Sequence, residues 1–240
     1  MGNLAIVTGG SSGLGLAIAN RVPFAARVID ISRSGPPAGA GIEHHGADLS
    51  DPESWSGVAT AIRGWIATEE PDRSVLVHAA GTLTPMGFAG EVDDYPYVGN
   101  VLLNCAAGQV LGHSYLSAVA ARPGTHDLVM ISSGAASSTY PGWSSYGAGK
   151  AALNQWVRYV GEEQQMRGGV RVTAIAPGVI DTDMQTQIRS MSEKDFPQVG
   201  RFEKLHAEGD LVSPEDAAAK FWRVVEDGLE TGSVVDLRDY

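Results

Sequence analysis

Tyr146 and Lys150 stand four residues apart in Ser-Ser-Tyr-Gly-Ala-Gly-Lys, and Ser133 lies thirteen residues before the tyrosine. On a helix, positions four apart share one face. Taken alone, such a pair reads as two ordinary exposed side chains. Ser133 changes this, because it follows the apolar run Leu128 to Ile131, which reads as a buried strand. A hydroxyl at a strand's carboxyl end and a Tyr–Lys helix face can converge on one substrate atom. The residue types suit proton transfer at that atom, and the rest of the chain tells which chemistry this serves. A phenol near its reference pKa of about 10 gives up its proton reluctantly. A nearby ammonium stabilises the phenolate and brings that pKa towards working pH.

The elements that must position these groups alternate along the chain. Strand-like runs fall at Leu4 to Val7, Arg27 to Ile31, weakly around Ile42 to Gly46, and at Ser74 to Val77, Leu128 to Ile131, Val170 to Ala176 and Ser233 to Leu237. Helix-like segments separate them: one after Gly15, one from Asp51-Pro52-Glu53 to about Thr68, a long region around Asn104, one from Ser144 to about Met166, and a last one capped by Ser213-Pro214. Pro141-Gly142 marks the turn before the Tyr–Lys helix. Such alternation predicts an α/β fold, a doubly wound parallel seven-stranded sheet of Rossmann type with helices on both faces. No repeat or linker divides the 240 residues, so one domain over 1–240 is expected. Residues 183–211 are polar, mixed and irregular, with Met184, Met191, Phe196 and Phe202 spaced through them; a long segment of this kind is expected to be a substrate lid.

The first strand runs into Thr8-Gly9-Gly10-Ser11-Ser12-Gly13-Leu14-Gly15 and then a helix. Strand, glycine-rich turn and helix start together make an anion site, where free backbone N–H groups point outward. Gly9 suits the tight turn, Gly13 the approach of a pyrophosphate, and Gly15 close packing of helix on strand. The second strand should end near the adenosine ribose, and its tip carries Ser32 and then Arg33, whose guanidinium suits a 2′-phosphate. Asp30 shares a strand face with Ser32 but is placed too early to reach the ribose, so NADPH is favoured over NAD. Asp48, followed by Leu49, could accept from an adenine amino group or simply cap a helix. Ala79-Ala80-Gly81 leaves room for a cofactor across the sheet. Gly147 and Gly149 cost helix propensity, which close approach of cofactor or backbone would explain. Asn104 reads on its own as a satisfied core polar group. His44 and His45 have no partner at metal-ligand spacing and read as surface, and no metal site is expected. Cys105, the only cysteine, reads as a buried structural thiol.

Net charge is −11 with no basic cluster, which argues against nucleic acid as a partner. No apolar run approaches a membrane span, and the N-terminus has no basic region of a signal peptide. A lone cysteine fits a reducing compartment, and the cytoplasm is the expected location.

Together these motifs resemble the short-chain dehydrogenase/reductase family, in its one-domain subtype, over nearly the whole chain. Within it, Ser133-Gly134-Ala135-Ala136, Gly142-Trp143-Ser144 and the run from Ile175 to Gln185 look most like the sepiapterin reductase and benzil reductase branch. The resemblance implies reversible hydride transfer between a nicotinamide and a carbonyl carbon, with Tyr146 as proton donor and Ser133 holding the oxygen. It also implies that Lys150 bonds the nicotinamide ribose and Asn104 holds a relay water. Pro177-Gly178-Val179 lead to Ile180 and Thr182, which would bond the carboxamide. Three features depart from the pattern: Ala79 stands where an asparagine usually braces the sheet, Gly149 where a serine usually precedes the lysine, and the glycine-rich loop has Ser11 and Ser12 but no basic residue, which leaves Arg33 as the main argument for NADPH. The function expected is an NADPH-dependent reductase of a ketone or dicarbonyl, as a homodimer or homotetramer formed through the helices carrying Asn104 and Tyr146. An NAD-dependent alcohol or hydroxysteroid-type dehydrogenase and a non-catalytic dinucleotide sensor are the alternatives.

Overall fold

A computed structural model describes residues 2–240. Seven strands, β1 (Asn3–Thr8), β2 (Arg27–Ser32), β3 (Glu43–Gly46), β4 (Arg73–His78), β5 (Thr125–Ile131), β6 (Arg171–Ala176) and β7 (Val234–Asp236), form one sheet. Their order is β3-β2-β1-β4-β5-β6-β7 and every pairing is parallel. Strand order reverses between β1 and β4, which opens a crevice at the carboxyl ends there.

The two-residue alternation of a strand sends side chains to opposite faces. On β1, Leu4 and Ile6 join one buried cluster while Ala5 and Val7 join another. The first cluster packs the sheet against α2 (Trp55–Glu69), α4 (Gly108–Val119) and α5 (Ser144–Arg167), through Ile62, Leu111 and Val157. The second packs it against α1 (Gly13–Asn20) and α8 (Pro214–Asp227), through Ile18 and Phe221. Trp222 on α8 donates its indole N–H to the Ile18 carbonyl at 3.0 Å, tying α8 to the helix that follows the glycine turn.

The helical region around Asn104 is not continuous α-helix. It runs as α3 (Asp94–Val101), a π-helical turn (Leu102–Ala107) and α4. The segment read as irregular from 183 to 211 contains two helices, α6 (Asp183–Arg189) and α7 (Val199–Ala207). Both dock into a third buried cluster, over the carboxyl edge of the sheet, where Ile188, Phe196 and Phe202 meet Leu83, Met86, Trp143 and Tyr146. Phe196 stacks on Trp143 with ring centroids 4.6 Å apart. Their order therefore comes from tertiary packing rather than from local periodicity. Among the described residues no helix is long and apolar enough to cross a membrane.

Candidate functional site

The glycine turn leaves β1 with the Gly9 N–H bonded to the Ile31 carbonyl at 2.9 Å. Gly13 has φ +50°, and a Cβ there would lie 3.3 Å from the Thr182 methyl. A Cβ on Gly15 would lie 2.2 Å from the Gly9 carbonyl oxygen, so only glycine lets α1 start this close to the strand. The turn thus forms one wall of a cleft whose opposite wall is the segment after β6.

That cleft encloses about 1020 Å³ at the carboxyl ends of β1, β4 and β5. The volume sits at the top of the usual range of about 300–1,000 Å³ for small-molecule sites, enough for a dinucleotide and a second small molecule. Every residue assigned to catalysis or cofactor binding in the sequence lines it except Asn104: the turn from Gly9 and Ser11 to Gly15, Ser32 and Arg33, Asp48 and Leu49, Ala80 and Gly81, Ser133, Tyr146 and Lys150, and Pro177 to Ile180 with Thr182. The donor set, a glycine-lined helix start plus an exposed Arg33, is suited to phosphate groups. A nicotinamide dinucleotide therefore fits the residues present.

At the ribose end, Asp30 is fully buried and does not line the cleft. Its carboxylate accepts from the Ser32 hydroxyl at 2.6 Å and faces His44 Nδ1 at 3.0 Å. Ser32 also accepts from the Gly35 N–H, so its hydroxyl is committed to the turn. His44 lies at the surface, as expected, and is anchored there by this contact. Asp48 is held below the usual carboxylate range chiefly by the Ser50 hydroxyl, 2.6 Å away, with Arg33 adding a smaller electrostatic contribution. One Asp48 oxygen is thereby spent on a local turn.

Ser133 follows β5 in extended backbone, and its hydroxyl accepts from the Ala135 N–H at 3.1 Å. Tyr146 and Lys150 face it from the first turns of α5, 7 % and 3 % exposed. Burial pushes the Tyr146 phenol above its ordinary pKa, and a hydrogen-bonding interaction with Ser133 opposes that rise. The expectation that Lys150 would pull the phenol down is not met. Burial dominates, and the Lys150 ammonium is turned to the Ile131 carbonyl, 5.9 Å from the Tyr146 ring centroid. Burial also lowers Lys150 itself, to about 8.

Asn104 sits behind this group in the π-helical turn. Its Oδ1 accepts from the Thr82 N–H, and its amide donates to the Thr82 carbonyl at 2.7 Å and to Asn100 Oδ1 at 2.9 Å. Both amide hydrogens are used, which leaves one Oδ1 lone pair for any further partner. Gly149 brings α5 against this turn, since a Cβ there would lie 3.0 Å from the Asn104 Cβ. A Cβ on Gly147 would lie 3.1 Å from the Ala135 carbonyl, so both helical glycines serve close backbone approach. Cys105, in the same turn, is half-buried rather than buried, with Gln109 donating to its sulfur at 3.4 Å; burial raises its thiol pKa.

Sequence reasoning passed over three residues here. His78, at the end of β4, is fully buried and its Nδ1 lies 2.9 Å from the Thr8 hydroxyl. That hydroxyl also accepts from the Ala80 N–H at 3.2 Å. Burial, with the Lys150 charge adding to it, lowers His78 to about 3, so the ring is neutral. Its Nε2 faces the π-helical turn at Leu103 without a hydrogen bond of good geometry. His78 therefore ties β1 to β4 beside the position where the asparagine brace is missing. Arg201 on α7 and Arg238 near the carboxyl end also line the cleft. Only their distance in sequence from the other motifs hid them.

A family model described as short chain dehydrogenase matches residues 3–193. A benzil reductase, (S)-benzoin forming, of Bacillus subtilis is 33% identical over 240 residues, covering 99% of each chain. Sepiapterin reductase of Rattus norvegicus is 33% identical over 198 residues, 80% of this chain and 74% of that one. Among solved structures, the KRED1-Pglu enzyme superposes with a TM-score of 0.82 at 27% identity, covering 97% of this chain and 100% of that one. The glycine turn, the parallel sheet and these likenesses agree, and the chain belongs to the short chain dehydrogenase family of oxidoreductases.

Proposed function

We propose that this chain is an NADPH-dependent reductase that converts a ketone or dicarbonyl to an alcohol. The observation carrying this is the meeting of Ser133, Tyr146 and Lys150 in the cleft that the glycine turn also lines. Bound NADPH would supply hydride at its nicotinamide ring. A neutral phenol is the state required of a proton donor, and burial keeps Tyr146 neutral near pH 7. Its O–H would donate to the carbonyl oxygen as charge develops there, with the Ser133 hydroxyl donating alongside. Lys150, pinned to Ile131 O, would hold the ribose end of the nicotinamide half and present positive charge behind the phenol. Thr182 and Ile180 would orient the carboxamide.

Arg33 is the basis for preferring NADPH, and the enclosure of Asp30 with Ser32 and His44 favours it over an NAD-dependent dehydrogenase. The likeness to benzil and sepiapterin reductases supports a dicarbonyl or pterin side chain as the substrate class. On this reading residues 1–240 work as one domain, with α6, α7 and the linking loop closing over the substrate. Exposed Tyr95, Val98 and Val101 near α3 and Tyr159 on α5 support pairing of copies through those helices, as a dimer or tetramer. A sole cysteine is in keeping with a cytoplasmic location. The test is loss of NADPH absorbance with a panel of diketones, aryl ketones and pterins. Consumption with benzil-like substrates is expected; binding of NADPH with no consumption across the panel would replace this reading by that of a dinucleotide sensor.

A further inference from the structure

We propose that the substrate end of the cleft is built for a carbonyl compound carrying a carboxylate on the far side of an aryl group; this rests on the reductase reading and deepens it. The walls at this end are aromatic. The Trp143 ring centroid lies 5.7 Å from that of Tyr146, and the Tyr140 ring lies 5.0 Å beyond Trp143. At the outer end of this series stands Arg201, whose Nη1 donates to the Tyr140 hydroxyl at 2.8 Å. Its guanidinium carbon lies 5.8 Å from the Tyr140 ring centroid and 5.9 Å from that of Phe202, so two rings and a hydrogen bond hold it in place.

The two cleft arginines differ in what they have left to offer. Arg238 is held by Asp236 through a two-pronged pair, Nε at 2.9 Å and Nη2 at 2.6 Å, which spends most of its charge. Arg201 has no carboxylate within 4.0 Å among the described residues. Because Arg201 donates to the Tyr140 oxygen, the tyrosine's own hydrogen remains to be given. A guanidinium without an acid partner and a phenolic O–H beside it form a receptor for a carboxylate. Of the acidic residues lining the cleft, Asp48 and Asp51 belong to the segment after β3, and Asp183 adjoins Thr182, whose methyl faces Gly13. In a chain of net charge −11, a cationic substrate mouth also draws anions that the rest of the surface repels. Since Arg201 lies two rings out from Tyr146, the carboxylate it reads is remote from the reacting carbonyl.

The probes are 4-carboxybenzil and its methyl ester, each with NADPH. The readout is the ratio of kcat/KM for acid over ester, in which any general loss of activity cancels. In Arg201→Gln this ratio is expected to fall about ten-fold or more, the size of one charge-assisted hydrogen bond, and to recover in large part in Arg201→Lys. In the wild-type chain, added salt is expected to lower kcat/KM for the acid more than for the ester. An unchanged ratio in Arg201→Gln, or equal salt dependence of the two probes, overturns the carboxylate reading while ester reduction leaves the reductase reading intact. Reduction of neither probe by the wild-type chain defeats both.

Discussion

Lys150 donates its ammonium to the main-chain carbonyl of Ile131 at 2.8 Å, so the helix carrying Tyr146 is fastened to the strand that leads into Ser133. One hydrogen bond sets the distance between the two halves of the candidate proton-transfer group. Burial depresses the pKa of this lysine to about 8.

That depression makes a stability prediction. The unfolded chain binds the Lys150 proton up to about pH 10.5, whereas the folded chain releases it near 8. Between these values the unfolded state holds more protons, so stability rises with pH across the window, until Tyr146, raised by burial, opposes it above about pH 10. Lys150→Met is expected to lose activity, to gain on the order of 2 kcal/mol at pH 7, and to lose this rise. Urea midpoints at pH 7 to 10 measure it; a parallel pH profile in the variant would contradict the assignment.

Tyr146→Phe removes the proton donor and keeps the ring among Trp143, Phe196 and Phe202. Turnover is expected to fall by about 10²–10⁴-fold, the usual worth of general acid catalysis, while NADPH still binds. Turnover near the wild-type rate would remove Tyr146 from its role.

Arg33→Ala tests the cofactor preference. Loss of a charge-assisted contact to a 2′-phosphate is expected to weaken NADPH binding about ten-fold or more with little effect on NADH. Equal weakening of both, read by fluorescence titration, would leave the ribose end without a phosphate contact.

His78→Ala deletes a fully buried ring that is hydrogen-bonded to the Thr8 hydroxyl. It leaves a cavity and removes the side-chain partner of the Thr8 hydroxyl at the tip of β1, and a loss of about 2–4 kcal/mol is expected from chemical denaturation. A change under about 0.5 kcal/mol would mean that the ring braces nothing.

The sheet was legible because its central strands are apolar runs ended by small or turn residues, with Leu4 to Val7 and Leu128 to Ile131 buried on both faces, whereas β3, Glu-His-His-Gly at the edge, gave only a weak signal. The Ser133–Tyr146–Lys150 group was legible because a strand end and one helical turn carry it within a short span of chain. Three things were not. The π-helical turn at Asn104 depends on contact with Gly149 across two helices, which no local pattern records. Helices α6 and α7 look irregular in sequence because Phe196 and Phe202 serve a cluster built by other elements. The direction of the Tyr146 pKa was not legible because burial raises it, and burial is a property of the whole fold.

Of the five tryptophans, Trp143 alone lines the cleft, its indole N–H turned to the Met86 sulfur and its ring against Tyr146. Occupancy of this site is thus reported optically by a single indole, and replacing the other four with phenylalanine would give a chain whose emission follows arrival and departure of ligand directly.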